Sequence, residues 1–249
     1  MKEFKVLGVI PARLASSRLY GKLLMEIRGK SVLQRVYEQS LKAKSLNQVI
    51  IATDHSTILN HATSFGANAI LSKREHTSGT DRIAELAETF PEYSRIINIQ
   101  GDEPFIDPGN IDFLVDLMIE KNCEIATLAI NQTGIDSIDN PNFVKLVVDN
   151  EGHALYFSRA TIPFLRDQQL NMQFQWKRHI GIYGFKRGTL LEITKLPPSS
   201  LEQIECLEQL RWLENGYRIQ IGNVSQHANG IDTIEDLNNA IRFAMVNNL

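Results

Sequence analysis

Between residues 6 and 71, short apolar runs alternate with segments of helical spacing, and few folds accept that order. Val6-Leu7-Gly8-Val9-Ile10 is a continuous apolar run that stops at Pro11, as a buried strand does. Residues 31–44 place apolar side chains at 32, 33, 36, 37 and 41, one face of a helix. Residues 48–54 form a second strand pattern, and residues 57–65 a short helix that Gly66 closes. Residues 67–71 read as a third, short strand. Strands joined through helices run in the same direction, so the pattern predicts a doubly wound parallel sheet of the α/β class. Such sheets bind ligands beyond the carboxyl ends of their strands, which directs attention to the loops there.

The first of those loops follows Pro11. It carries Arg13, Ser16, Arg18 and Lys22 among small residues. Small side chains let backbone N–H groups approach an anion, and the cations add charge. The loop reads either as a triphosphate cradle or as an ordinary solvated basic loop. Its spacing is neither that of a P-loop nor that of a dinucleotide fingerprint. A second loop, residues 73–82, includes Arg74 and Ser78-Gly79-Thr80, which open a helix with apolar positions 83, 86, 87 and 90. Ser78 could cap that helix or help hold an anionic group at its N-terminus. A fourth strand pattern ends in Gln100-Gly101-Asp102-Glu103-Pro104. Adjacent carboxylates at a strand end repel each other unless something offsets them, and hard oxygen ligands suit Mg²⁺. Asp102 is the expected metal ligand and Glu103 the residue that orients the loop, with a turn of solvated acids as the alternative.

The 249 residues allow one large α/β domain or one with an inserted lobe. The net charge of −3 gives no general attraction to nucleic acid or acidic membranes. Cys123 and Cys206 form no C-x-x-C pair and read as buried thiols in a reducing compartment. No stretch reaches the roughly 18 apolar residues of a membrane span, and no leader pattern is visible, so a cytoplasmic location is expected. Residues 110–121 read as a helix and 124–130 as a strand. Near residue 131 the pattern changes: residues 143–149 and 153–159 read as a hairpin around Asn150-Glu151-Gly152. Residues 165–178 read as an irregular loop, 180–185 as a strand, and 201–214 as one helix with apolar positions 204, 207, 210 and 213. A strand over 218–224 follows. A capping signal at 233–236 opens a final helix with apolar face 237, 240, 241, 244 and 245. The pattern divides the chain into an α/β half (1–130), a substrate lobe (131–225) and a returning C-terminal helix (226–249). Arg159, His179, Tyr183, Glu208 and Gln209 are candidates for reading a polyhydroxylated acid, each with an ordinary structural alternative.

Taken in order, the stretches Ile10-Pro11-Ala12-Arg13, Ser16-Ser17-Arg18-Leu19, Ala52-Thr53-Asp54, Ser78-Gly79-Thr80-Asp81-Arg82, Gln100-Gly101-Asp102-Glu103-Pro104, Tyr156-Phe157-Ser158-Arg159, His179-Ile180-Gly181-Ile182-Tyr183, Leu207-Glu208-Gln209-Leu210-Arg211 and Ile231-Asp232-Thr233 closely resemble the 3-deoxy-manno-octulosonate (Kdo) cytidylyltransferases. The resemblance runs from end to end. It implies a nucleotide-diphosphosugar transferase fold with an antiparallel substrate and dimerisation lobe, and a homodimer. It implies the reaction CTP + Kdo → CMP-Kdo + pyrophosphate with Mg²⁺, in lipopolysaccharide biosynthesis. It puts CTP on Arg13, Ser16, Lys22, Arg74, Ser78 and Gln100, with Arg13, Lys22 and Asp102 catalytic. It puts the metal on Asp102 and Asp232, and Kdo on Arg159, His179, Tyr183, Glu208 and Gln209. A related sugar acid such as 8-amino-Kdo, or a non-catalytic nucleotide-sugar binding module, would share the nucleotide loops. The family's usual Arg-Leu-Pro-Gly-Lys-Pro-Leu is here Arg18-Leu19-Tyr20-Gly21-Lys22-Leu23-Leu24, with both prolines replaced.

Overall fold

A computed structural model describes residues 4–15, 19–76, 78–135, 137–167, 173–227 and 230–249. The chain forms two compact units, one of residues 1–112 with 228–249 and one of residues 113–227.

In the first unit the elements follow the predicted alternation. They are β1 (Val6–Ala12), the two-residue strands β2 (Glu26–Ile27) and β3 (Lys30–Ser31), α1 (Val32–Ser40), β4 (Gln48–Thr53), α2 (Ser56–Ser64), β5 (Ala69–Leu71), α3 (Gly79–Thr89) and β6 (Arg95–Asn98). Helix α4 (Pro108–Glu120) begins in this unit. The strands lie in the order β6-β1-β4-β5, and their pairings are parallel. Pro11 pairs with Ala52 and Val9 with Asn98, so β1, β4 and β6 end along one edge. The chain steps from β1 outward through β4 to β5 and then returns to β6 on the other side of β1. The order therefore reverses between β1 and β6, the position at which open α/β sheets bind ligands. Their apolar side chains are nearly all buried: Leu7, Val9, Ile10, Ile50, Ile51, Ile96 and Ile97 are at most 1% exposed. Ser31 caps α1 by accepting from the Gln34 N–H, and His55 Nδ1 accepts from the Thr57 N–H to cap α2.

The second unit is mainly antiparallel. It holds β7 (Ile125–Thr133), β8 (Lys145–Val148), β9 (Ala154–Ser158), β10 (Gln175–Lys186), α5 (Arg187–Ile193), α6 (Ser200–Glu205), α7 (Gln209–Glu214) and β11 (Ile219–Val224). β10 pairs antiparallel with β7 and β8, β8 forms the predicted hairpin with β9, and β11 lies parallel to β7. Tyr183, Phe185 and Trp212 meet ring to ring at centroid separations of 5.2–5.9 Å. The final helix α8 (Ile234–Val246) belongs to the first unit.

Four expectations need correction. The loop expected over 165–178 is shorter, because β10 begins at Gln175; residues 168–172 lie outside the described residues. The helix expected over 201–214 is two helices, broken where Cys206 takes φ 52°. The carbonyls at that break are taken by a side chain: Arg159 Nε donates to Glu205 O at 2.9 Å and Nη2 to Cys206 O at 3.4 Å. A cation that satisfies the last carbonyls of a helix allows it to end without glycine. Cys206 is consequently exposed and Cys123 only half-buried. On α8, Ala244 is buried but Met245 is exposed.

Candidate active site

Three chain segments converge where the strand order reverses. Loop 13–22 leaves β1, the turn at 99–103 leaves β6, and residues 230–233 lead into α8. The turn approaches β1 closely: a Cβ on Gly101 would lie 3.1 Å from Pro11 O and 3.6 Å from Leu23 Cδ1. Loop 13–22 ends in a short 3-10 turn (Lys22–Leu24), which Gly21 enters at φ 67°, a left-handed conformation suited to glycine. Leu23 is buried and Tyr20 is 68% exposed, so of the two residues that replace prolines one packs and the other faces water. The 3-10 turn aims Lys22 at the other two segments. Its Nζ donates to Asp102 Oδ2 at 2.5 Å, Asp232 Oδ1 at 2.9 Å and Ile231 O at 2.8 Å. Ile231 N in turn donates to Asp102 O at 2.9 Å. Burial lowers the lysine pKa, but Asp102 and Asp232 outweigh it and hold the ammonium above the usual lysine value. Two carboxylates therefore converge on one cation. That donor set, two hard and partly exposed carboxylate oxygens on a turn and a helix entrance, fits a Mg²⁺ ion.

The other candidates of this unit stand at helix entrances and in loops. Asp232 stands just before α8, whose capping box joins Thr233 and Asp236. Ser78 Oγ accepts from the Asp81 N–H at 3.0 Å, so it caps α3. Asp54 of the Thr53-Asp54 motif pairs at 2.7 Å with Arg82, whose side chain is fully buried. Arg13 is exposed immediately after β1. Arg74 is exposed and pairs with Glu88 at 2.5 Å. Gln100 is half-buried at the start of the turn, and Glu103 is buried within it. Ser16 and Arg18 lie outside the described residues.

The second unit gathers the other candidates. His179 and Tyr183 on β10 meet at 5.3 Å between ring centroids, and Phe157 meets the His179 ring at 5.2 Å. Between them the register of β10 against β7 shifts, from Ile180↔Leu128 to Tyr183↔Thr127. This bulge re-aims the strand. Burial, with a contribution from His227, pushes the His179 imidazole down to about 3, so it is neutral at pH 7. Burial first and Glu208 second raise the Tyr183 phenol well above its ordinary value. Tyr183 thus keeps its O–H proton; its buried hydroxyl makes no well-formed hydrogen bond among the described residues, although Thr127 lies near enough to oppose the upward shift. Glu208 stands at the entrance to α7, followed by the buried Gln209. Arg159 N donates to Glu205 Oε2 at 2.9 Å, and its guanidinium holds Glu205 O and Pro141 O, each at 2.9 Å.

Residues 7–219 match a family model described as cytidylyltransferase. The chain belongs to the cytidylyltransferase family. It is 44% identical to the 3-deoxy-manno-octulosonate cytidylyltransferase of Fusobacterium nucleatum subsp. nucleatum over 98% of this chain and 99% of that one. It is 46% identical to the enzyme of the same name from Thermodesulfovibrio yellowstonii over 92% of this chain and 94% of that one. The solved structure of CMP:2-keto-3-deoxy-manno-octonic acid synthetase complexed with CTP superposes with a TM-score of 0.92 at 37% identity, covering 98% of this chain and 100% of the other. A 4-diphosphocytidyl-2C-methyl-D-erythritol synthase from Anaerococcus prevotii, at 13% identity, shares the fold with a TM-score of 0.61 over 97% of this chain and 96% of that one.

Three residues of this cytidylyltransferase that support the candidate groups escape a reading of the sequence. Lys145 is fully buried, and its ammonium donates to the carbonyls of Asn140 at 3.2 Å, of Phe143 at 2.8 Å and of Arg159. Burial lowers its pKa. Glu205 accepts from Ser158 Oγ at 2.6 Å as well as from the Arg159 backbone. Thr127 bonds His179. The one visible signal is a polar residue inside an apolar strand pattern, in Ala126-Thr127-Leu128 and in Val144-Lys145-Leu146.

Proposed function

We propose that this cytidylyltransferase transfers CMP from CTP to Kdo, releasing pyrophosphate, in lipopolysaccharide biosynthesis. The observation that carries the reading is the convergence of Lys22, Asp102 and Asp232 at the reversal of strand order. Full-length similarity to enzymes named for this substrate supports it. The sugar hydroxyl oxygen attacks the α-phosphorus, the bond from that phosphorus to the β-phosphate breaks, and the hydroxyl proton passes to solvent. Such a transfer needs positioning and charge neutralisation more than covalent help. Arg13 and Lys22 neutralise the departing pyrophosphate. Ser78, Gln100, Arg74 and Ser16 are assigned to CTP. Asp102 and Asp232 are assigned to Mg²⁺, whose chemistry when bound is charge neutralisation on phosphate oxygens and a lowered pKa for the attacking hydroxyl. Arg159, His179, Tyr183, Glu208 and Gln209 are assigned to the sugar acid. On the strength of the family resemblance the enzyme is a homodimer, which light scattering on the purified protein tests, and it works in the cytoplasm. No helix among the described residues is long and apolar enough to cross a membrane.

Pyrophosphate release from CTP should depend on Kdo and on Mg²⁺, and Asp102→Asn should lower turnover at least ~100-fold, the effect of removing a main electrostatic stabiliser. CTP binding without Kdo-dependent release would instead indicate a binding module. A strong preference for 8-amino-Kdo in the same assay would overturn the sugar assignment.

A further inference from the structure

Thr127 is fully buried on β7, and its Oγ1 makes three hydrogen-bond contacts, with Ile182 O at 2.6 Å, Ile180 O at 3.1 Å and His179 Nε2 at 3.1 Å, while the Tyr183 hydroxyl lies close by. The carbonyls belong to the bulge in β10, where the register against β7 shifts between Ile180 and Tyr183. A hydroxyl has one proton to give and lone pairs to accept with. A carbonyl can only accept, so at 2.6 Å the hydroxyl proton must point at Ile182 O; two lone pairs at that distance would repel. Only the lone pairs of Oγ1 remain for His179, and Nε2 must therefore carry the proton. A neutral imidazole has one N–H. His179 is neutral at pH 7, so its Nδ1 is left as a bare acceptor, and among the described residues Nδ1 takes part in no hydrogen bond.

We propose that Thr127 is a positioning residue that fixes His179 as the Nε2–H tautomer and so presents Nδ1 as an acceptor to a hydroxyl of the sugar acid. The assignment of the sugar acid rests on the reading under Proposed function. The neighbouring Tyr183 hydroxyl stays protonated and makes no well-formed hydrogen bond among the described residues, with the Thr127 hydroxyl near enough to act on it. An acceptor beside a donor matches a polyol hydroxyl, which gives one hydrogen bond and takes another. The same Thr127 bond ties the bulge that separates the two rings, so one side chain sets both the tautomer and the spacing of the pair.

The test is nitrogen NMR of the whole enzyme labelled with ¹⁵N-histidine, with His179→Gln used only to assign the signal, together with steady-state kinetics. In the wild type the two-bond ¹H–¹⁵N pattern should show a protonated Nε2 and an unprotonated Nδ1. Thr127→Ser should keep the tautomer and both KM values. Thr127→Val should shift or mix the tautomer and raise KM for Kdo roughly ten-fold or more, about one hydrogen bond's worth, with KM for CTP unchanged. A wild-type signal from the Nδ1–H tautomer overturns the proposal. So does a folded Thr127→Val variant with unchanged tautomer and unchanged KM for Kdo. If Thr127→Val fails to fold, the wild-type and Thr127→Ser spectra decide by the same pattern. Failure of the wild type to use Kdo would sink the functional reading while leaving the tautomer result standing.

Discussion

Burial pushes the imidazole of His179 down to about 3, and burial with the nearby Arg178 charge pushes that of His227 down to about 4. In the unfolded chain both titrate near 6.5. Between those limits the unfolded state binds protons that the folded state refuses, so stability is full above about pH 6.5 and falls as pH drops. Each histidine contributes a slope of up to roughly 1.4 kcal/mol per pH unit in that window. Denaturant midpoints measured from pH 7 to pH 4.5 should therefore decline, and His179→Gln should flatten the decline relative to the wild type. A His179→Gln slope equal to that of the wild type would show that the ring is not buried neutral. At this scale the sequence exposes chemistry where it departs from its surroundings. Asp102 and Asp232 are carboxylates at strand and helix boundaries, and Lys22 is a cation in a loop of small residues. Lys145 and Thr127 are hidden because their partners are backbone carbonyls. No residue type advertises an unsatisfied carbonyl, and only the folded hairpin and bulge create them.

Secondary elements were legible wherever spacing alone decides them. The parallel strands of the first unit are continuous apolar runs, and the helices between them carry one apolar stripe and a side-chain cap. Legibility failed where tertiary contacts end or extend an element. Nothing between residues 201 and 214 breaks a helix by propensity; Arg159, remote in sequence, supplies the C-terminal partner that lets α6 stop. β10 likewise extends through polar residues, because β7 and β8 flank it. One strand position lends itself to measurement. A Cβ on Gly222 in β11 would stand 2.8 Å from Leu128 Cδ2, 2.8 Å from Phe113 Cε1 and 2.9 Å from Leu117 Cδ2. Three neighbours would have to yield at once, and overpacking of this kind costs about 1–3 kcal/mol. Gly222→Ala should lower the denaturation midpoint accordingly; a midpoint unchanged or raised would mean that the β7–β11–α4 packing has slack.

On the scale of the molecule, the Lys22 contacts join three distant parts of one unit: the loop after β1, the turn after β6 and the entrance to α8. Lys22→Met would leave two carboxylates facing each other without a cation. The ligand-free variant should lose on the order of 2 kcal/mol, the value of hydrogen bonds to a charged group. Added Mg²⁺ should then raise its melting temperature more than that of the wild type, because binding to the folded state stabilises it by mass action. A Lys22→Met variant indifferent to Mg²⁺ would argue against Asp102 and Asp232 as the metal pair. The same contacts set a timetable. Lys22 lies 80 residues from Asp102 and 210 from Asp232. Closing so long a loop is entropically slow and cannot begin until both ends exist. During translation the ammonium can meet its first carboxylate once residue 102 has cleared the ribosome. The second arrives only with residue 232, near the end of synthesis. A nascent chain short of that point has the strands, Lys22 and one acid, but no pair able to share a cation. Competence at this site is thus among the last properties the growing polypeptide acquires.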